Sequence, residues 1–316
     1  MVDGTQAKYS LTERIDDMID VCLLGTGGMM PLPDRYLTSL YVRCEGRCLL
    51  IDCGEGTQSA IRSAGRRFKP IDTLLLTHYH ADHISGLPGL LLTLGNEDRT
   101  EPLDVYGPPG LKRLMGAIKV IVPEVPFDIV CHELEGEEVF RVGDLTARCF
   151  KANHSVPCLG YCLTKNRPGR FDPEKAKANR VPMRLWARLQ QGEECEGFTP
   201  DMVLGMPRKG LKLIYATDTL PLDSLTELGK NADLMVLEGM FGGTDKDIRA
   251  LETRHSTMDQ SALLAKNAGA KELWLTHYSP ANPHPEEYED EVRTIFPNTV
   301  ISADGQQTTL RFQEDA

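Results

Sequence analysis

No apolar run in this 316-residue chain approaches the roughly 20 residues that a helix needs to cross a bilayer, which argues against a membrane-embedded protein. The opening stretch MVDGTQAKYSLTERIDDMID lacks the basic start and apolar core of a secretory signal, so a cytoplasmic protein with no membrane partner is expected. Any C-x-x-C pair is also missing. The nine cysteines are odd in number, and most lie in apolar runs such as CLLIDC, where a free thiol behaves as a small buried hydrophobe; a disulfide framework is not expected. A basic excess is absent too: 35 Lys and Arg face 46 Asp and Glu, a formal charge of −11, which taken globally speaks against a nucleic-acid partner. There is no short-period repeat, which excludes a solenoid. The glycine-rich GTGG at residues 25–28 lacks a Walker lysine and a helix-opening third glycine, so it reads as a tight turn and not as a nucleotide site.

What is present is ordinary at the level of composition. Hydrophobic residues at 41% and charged residues at 26% fit a soluble globular chain and exclude disordered and collagen-like classes. Short β-like runs alternate with helical ones: DVCLLG as a first strand, SLYVRC and RCLLIDC as a hairpin around Glu45-Gly46, GTQSAIRSAG as a helix, IDTLLL as a buried strand. ISGLPGLLLTLG reads as an apolar helix interrupted by Pro88-Gly89. After three further strand-like runs and a long irregular segment, the alternation resumes with LKLIYATD, DSLTELGK, DLMVLEG, TMDQSALLAKNAGA and ELWLTHY. Interleaving of this kind predicts an α/β fold.

One segment stands out against that background. LLLTHYHADHISG places His78, His80, Asp82 and His83 in the exit loop of a buried strand. Imidazole and carboxylate donors suit zinc and similar ions, and no thiolate cluster argues for iron–sulfur. Four ligands this close are awkward for one tetrahedral ion and natural for two, His78 and His80 on one, Asp82 and His83 on the other. The missing ligands are available at other strand ends: His154 in KANHSVP, Asp218 in IYATDT and His277 in LWLTHYS, whose Leu-Thr-His-Tyr repeats the end of the first strand. Taken singly, Asp218 reads as a helix cap and each lone histidine as a core or surface residue. Five of eight histidines acquire a role once the set is taken together; His132 and His284 read as structural or surface residues.

HYHADH followed in order by His154, Asp218 and His277 resembles the metallo-β-lactamase superfamily. LLGTGG, LLIDCGEGTQ, the stretch HSVPCLGYCLTKNRPGRFDPEKAKANRVP, LMVLEGMF and RHSTMDQSALLAKNAGAKELWLTHYS resemble ribonuclease Z, the family of tRNA 3′-processing endonucleases, and together span most of residues 20–312. The resemblance implies one αββα sandwich over residues 1–316 with an inserted, protruding arm at about 160–205. It implies two Zn²⁺ per subunit, with His78, His80 and His154 on one, Asp82, His83 and His277 on the other, and Asp218 bridging. Asp52 would brace the ligand loop. His255 would donate a proton to the leaving 3′-oxygen, Glu238 would orient it, and Asp82 would share the proton transfer; without the resemblance, His255 reads as a residue of an N-cap region. The implied substrate is precursor tRNA, the implied assembly a homodimer, and the implied products a tRNA 3′-OH and a trailer 5′-phosphate.

The acidic balance is met locally. Between residues 165 and 188, Lys165, Arg167, Arg170, Lys175, Lys177, Arg180, Arg184 and Arg188 face only Asp172 and Glu174, and these eight are the candidate RNA contacts of the arm. Asp172-Pro173-Glu174 starts a short helix there, and Pro182 stops it. The arm departs from the family in lacking a Gly-Pro-rich stretch; it reads RVPMRLWARLQQGEE instead, where Leu185 and Trp186 pack the arm or meet RNA. The loop that resembles the family's sensor of CCA ends is PLPDRY, which keeps Arg35 as a candidate contact but lacks the lysine and asparagine. The competing reading is a phosphodiesterase or thioester hydrolase of the same fold acting on a small substrate, which would need neither the arm nor His255. A non-enzymatic metal-associated RNA-binding protein fits less well, because the ligand set leaves room for a water.

Overall fold

The computed structural model describes residues 18–243 and 246–313. Its first six strands are β1 (Met18–Gly25), β2 (Ser39–Cys44), β3 (Arg47–Ile51), β4 (Ile71–Leu75), β5 (Leu103–Gly107) and β6 (Ile129–Glu133). The next seven are β7 (Val139–Val142), β8 (Leu145–Lys151), β9 (Leu159–Arg167), β10 (Arg208–Ala216), β11 (Leu234–Glu238), β12 (Leu273–Thr276) and β13 (Thr299–Ile301). The last, β14 (Gln307–Arg311), returns to pair with β1. Two seven-stranded mixed sheets result, ordered β14-β1-β2-β3-β4-β5-β6 and β13-β12-β11-β10-β9-β8-β7.

Alternation along the strands sorts the core into layers. Val21, Leu23, Val42, Leu49, Tyr161, Leu163, Leu213 and Val236 fill the space between the sheets. Their neighbours on the opposite faces pack under helices. Against the first sheet lie α1 (Thr57–Ser63), the single turn α2 (Ala81–Ile84), α3 (Leu87–Asn96) and α4 (Leu111–Ile118). α5 (Pro173–Ala178) and α6 (Trp186–Gln190) belong to the segment between β9 and β10. The second sheet is covered by α7 (Asp223–Leu228), α9 (Met258–Ala268) and α10 (Glu289–Ile295), with α8 (Asp247–Thr253) beside them. The architecture is the αββα sandwich of the metallo-β-lactamase fold. No helix among the described residues is long and apolar enough to cross a membrane.

Two expectations need correction. Pro88 does not interrupt an apolar helix; it lies in the first turn of α3, where its missing N–H has no intrahelical partner to lose. Lys165 is not an exposed RNA contact. It follows Tyr161 and Leu163 on the inward face of β9, is only 5% exposed, and its ammonium pairs with Glu45 of the β2–β3 turn. Arg167 closes β9 and donates to the Gln313 carbonyl.

The start of the arm expected at about 160–205 is the strand β9, so the inserted segment between β9 and β10 is residues 168–207, and its two ends are adjacent because Arg167 pairs with Arg208. It carries a small apolar cluster of its own, built on Ala176, Val181, Leu185, Leu189, Val203 and Leu204. Trp186 packs on Phe171 and donates its indole N–H to the Val181 carbonyl, so the aromatic serves the arm's interior. Six basic side chains in 168–207 face six acidic ones, since Glu193, Glu194, Glu196 and Asp201 lie beyond the basic island. Arg184 pairs with Glu196 and Arg188 with Glu193, all four at the surface.

Tyr161 links the two sheets directly: its hydroxyl donates to the Leu76 carbonyl at 2.7 Å, two residues before His78. Tyr161→Phe strands that carbonyl without a donor and is expected to cost about 1–3 kcal/mol. A urea titration checks this, the midpoint falling with no change of slope; an unmoved midpoint would rule out the link as a stabilising one.

Candidate metal centre

Strand ends deliver the polar residues to one edge of the sandwich. Asp52 follows β3, His78 follows β4 by a short exit, Asp218 follows β10, Glu238 ends β11 and His277 follows β12. Asp52, Asp218 and His277 have φ of 60°, 55° and 57°, a left-handed turn that few non-glycine residues adopt and that bends each side chain off its strand line. His80 stands at the N-cap of α2, whose Asp82 and His83 are both buried. His154 lies beyond the end of β8.

These side chains converge in two groups that share Asp218. Its Oδ1 lies 3.8 Å from both His78 Nε2 and His154 Nε2, and His154 Nε2 is 3.3 Å from His80 Nδ1. Its Oδ2 lies 3.1 Å from His83 Nε2 and 3.3 Å from His277 Nε2. Asp82 Oδ2 completes the second group, 3.4 Å from His277 Nε2 and 3.7 Å from His83 Nε2. The seven residues expected to hold metal thus stand together, with the candidate ligand atoms of each group within 4.8 Å of one another.

Neighbours hold these rings in place. Asp52 Oδ2 accepts from His83 Nδ1 at 2.8 Å, while Asp52 Oδ1 accepts from the Thr77 N–H at 2.8 Å, tying the two strand exits together. The Met29 N–H donates to Asp82 Oδ2 at 2.7 Å. Gly28 leaves room for the His277 ring, which a Cβ there would meet at 2.8 Å. His154 Nδ1 bonds the Arg254 carbonyl, and the Arg254 guanidinium answers on the His154 carbonyl.

Beside the groups stands a second pair. His255 Nδ1 lies 2.8 Å from Glu238 Oε2 and 3.9 Å from Asp218 Oδ1. Glu238 Oε1 is held by the N–H groups of Thr219 and Ser256 at 2.7 and 3.1 Å. Burial opposes a charged His255 ring, but Glu238 outweighs it and raises the pKa above the usual imidazole range. Burial likewise opposes charge on His277, yet Asp218, Asp82 and Glu238 push its pKa up to about 10. His83 is also raised, by Asp218 and Asp52 against burial.

The donor set fits a metal. Histidine nitrogens face one another, His83 Nε2 and His277 Nε2 at 3.2 Å, and His78 Nε2 is buried without a hydrogen-bond partner. A cation satisfies such lone pairs, and a nitrogen and oxygen set without thiolate suits zinc. Cys158 Sγ sits 3.7 Å from His78 Nδ1, on the other nitrogen of that ring, and burial keeps its thiol well above the usual range.

Sequence reasoning missed several supports. Thr77 Oγ1 contacts Asp52, His78 and His83, whereas Thr276 of the twin Leu-Thr-His-Tyr has an unpartnered hydroxyl, so the repeat itself gave no signal. Ser256 and Thr219 act through their backbone N–H groups, and Arg254 partly through its carbonyl, contacts that side-chain type does not advertise. Arg35 donates to the Asn282 and Pro283 carbonyls and lies over the Tyr278 ring, tying its loop to the segment after His277. His132 pairs with Asp104 and His284 with Glu286, away from the centre.

Comparison with known proteins places this geometry among relatives. Residues 47–278 match the family described as a β-lactamase superfamily domain. A ribonuclease Z from Lachnoclostridium phytofermentans is 52% identical, covering 94% of this chain and all of the relative. One from Agathobacter rectalis is 50% identical with the same coverage. The crystal structure of the short form of human tRNase Z superposes with a TM-score of 0.66 at 24% identity, over 92% of this chain and 98% of that one.

In the metal-free chain the neighbouring carboxylates favour the protonated forms of His83 and His277, and metal requires the neutral ones. Metal uptake is therefore expected to release protons, and affinity to rise with pH through the neutral range. Calorimetric zinc titrations in two buffers of different ionisation heat check this; identical apparent heats would mean no proton leaves and would refute it.

Proposed function

Because the chain belongs to the ribonuclease Z family of the metallo-β-lactamase superfamily, and is thus a hydrolytic endoribonuclease, we propose that it removes the 3′ trailer from precursor tRNA. The observation that carries this reading is the pair of donor groups sharing Asp218, with the Glu238–His255 pair set against them. Two zinc ions per subunit, a cytoplasmic location and a homodimer as working assembly belong to the same reading.

His78, His80 and His154 would hold one ion, Asp82, His83 and His277 the other, and Asp218 both. When bound, the two ions supply a nucleophilic water at neutral pH and stabilise charge on the phosphoryl oxygens. The protein's own part is orientation and proton transfer. Hydroxide adds to phosphorus, the P–O3′ bond breaks, the trailer keeps the 5′-phosphate, and the leaving 3′-oxygen needs a proton. His255 is the donor. Its Nδ1 is engaged by Glu238, so Nε2–H is the proton offered, and the Glu238 carboxylate favours the protonated ring. Asp82 shares the proton transfer: burial disfavours its charged form, but His277, His83 and the Met29 N–H keep its carboxylate ionised well below the usual range.

Arg167 at its base and Arg170, Lys175, Lys177, Arg180, Arg184 and Arg188 within it are the arm residues offered to RNA phosphates, with Arg35 on its own loop; Lys165, being buried, drops out.

His255→Ala is expected to lower precursor cleavage by about 10²–10⁴ with zinc content unchanged. Hydrolysis of bis(p-nitrophenyl) phosphate, whose leaving group needs no proton, is expected to fall far less. Equal losses on both substrates would remove His255 from proton donation.

Replacing residues 168–207 by a short Gly-Ser turn closes the β9–β10 hairpin without disturbing the metal edge. KM for precursor tRNA is expected to rise roughly tenfold or more, with bis(p-nitrophenyl) phosphate hydrolysis unchanged. A precursor left intact by the unmodified, zinc-loaded chain, which still hydrolyses the small ester, would replace the tRNA reading with the small-substrate one.

A further inference from the structure

At the end of the first sheet remote from the metal centre, the outer face opens into a cavity of about 560 Å³. The orientation follows from β2: Ser39 donates to the Asp52 carbonyl at the metal edge, and Arg43 lies four residues further along, roughly 13 Å away. Arg43, Arg66, Arg67 and Lys69 line this cavity, with Tyr41 at its base, and no acidic residue is among the lining. That is four cations around one hollow in a chain with eleven more acidic than basic residues.

The cations are underused. Arg43, Arg67 and Lys69 are exposed and have no ion pair or side-chain hydrogen bond among the described residues. Arg47 nearby is different, since Asp72 neutralises it. Asp20 stands across the strand pair from Arg43, but its carboxylate accepts from Thr309. Arg66 is prepositioned: its guanidinium lies 5.7 Å above the Tyr41 ring and Nη2 donates to Gln307, while Nε is buried with no acceptor. Tyr41 is itself fixed, 2% exposed with its hydroxyl 2.8 Å from Cys48 Sγ. A rigid floor, one oriented guanidinium and three free cations around a half-open hollow are what recognition of a small polyanion requires.

We propose that this cavity binds a phosphate-bearing small molecule of nucleotide size, at a site separate from the metal centre. A volume of about 560 Å³ lies within the range of small-ligand sites, which favours a compact ligand over a polynucleotide backbone. The proposal is independent of the tRNA reading.

The probes are ADP and inorganic pyrophosphate, titrated calorimetrically at 150 mM salt into the zinc-loaded full chain. Three proteins are compared: the unmodified chain, the variant Arg43→Gln/Arg67→Gln/Lys69→Gln, and the metal-edge variant His78→Ala/His83→Ala. Thermal melting of each confirms folding. Binding that survives in the metal-edge variant and weakens roughly tenfold or more in the triple variant supports the proposal. Binding lost only in the metal-edge variant, or no binding of either probe to the unmodified chain, overturns it. So does a triple variant that binds the probes normally but has a raised KM for precursor tRNA, which would make the cavity a contact for RNA.

Discussion

The constraint on which this molecule rests is the burial of a dense polar cluster at one edge of a sandwich whose remaining interior is apolar. Unpaired ionisable groups in such a place are costly. Here most are matched: carboxylates alternate with imidazoles, and backbone N–H groups from Met29, Thr77, Thr219 and Ser256 reach the carboxylates that need them, while His78 Nε2 is left for a cation. Asp52 illustrates the economy of the arrangement. One buried carboxylate orients His83, closes the turn at Thr77 and so sets the direction of the exit loop that carries His78, His80 and Asp82. The left-handed backbone at Asp52, Asp218 and His277 is the strain that accompanies it, and the surrounding sheets over-determine those conformations.

Much of this was legible in the sequence because strands fix direction. An apolar run ending in His or Asp points that residue out of the strand end, and HYHADH concentrates four such donors in one loop. The α/β alternation was legible for the same reason. What was not legible is contact made through backbone. Ser256 and Thr219 reach Glu238 with their N–H groups, and the carbonyl of Arg254, a left-handed residue after α8, accepts from His154 Nδ1, none of which leaves a mark in residue type.

Lys165 is a different kind of miss. Counted by charge it belonged to the basic island, but the period of two through Leu159, Tyr161 and Leu163 puts it on the inner face. The pattern was there to be read; the partner was not, because Glu45 lies 120 residues away on a turn. Pro88 was misread for a related reason, since a proline inside an apolar run marks a start as readily as a break when the preceding turn of α2 ends first.

The arm shows how local charge counting misleads when its window stops early. Over 168–207 the charges balance, and several arginines already hold glutamates. This does not disable the segment for RNA. Exposed ion pairs contribute little in water, so exchanging Glu196 or Glu193 for a phosphate sacrifices little, while the phosphate brings counterion release that a carboxylate does not. On the proposed reading the apolar cluster around Leu185 and Leu189 keeps the arm ordered without RNA, and the guanidinium groups of Arg184 and Arg188 pass from glutamate to phosphate when RNA arrives.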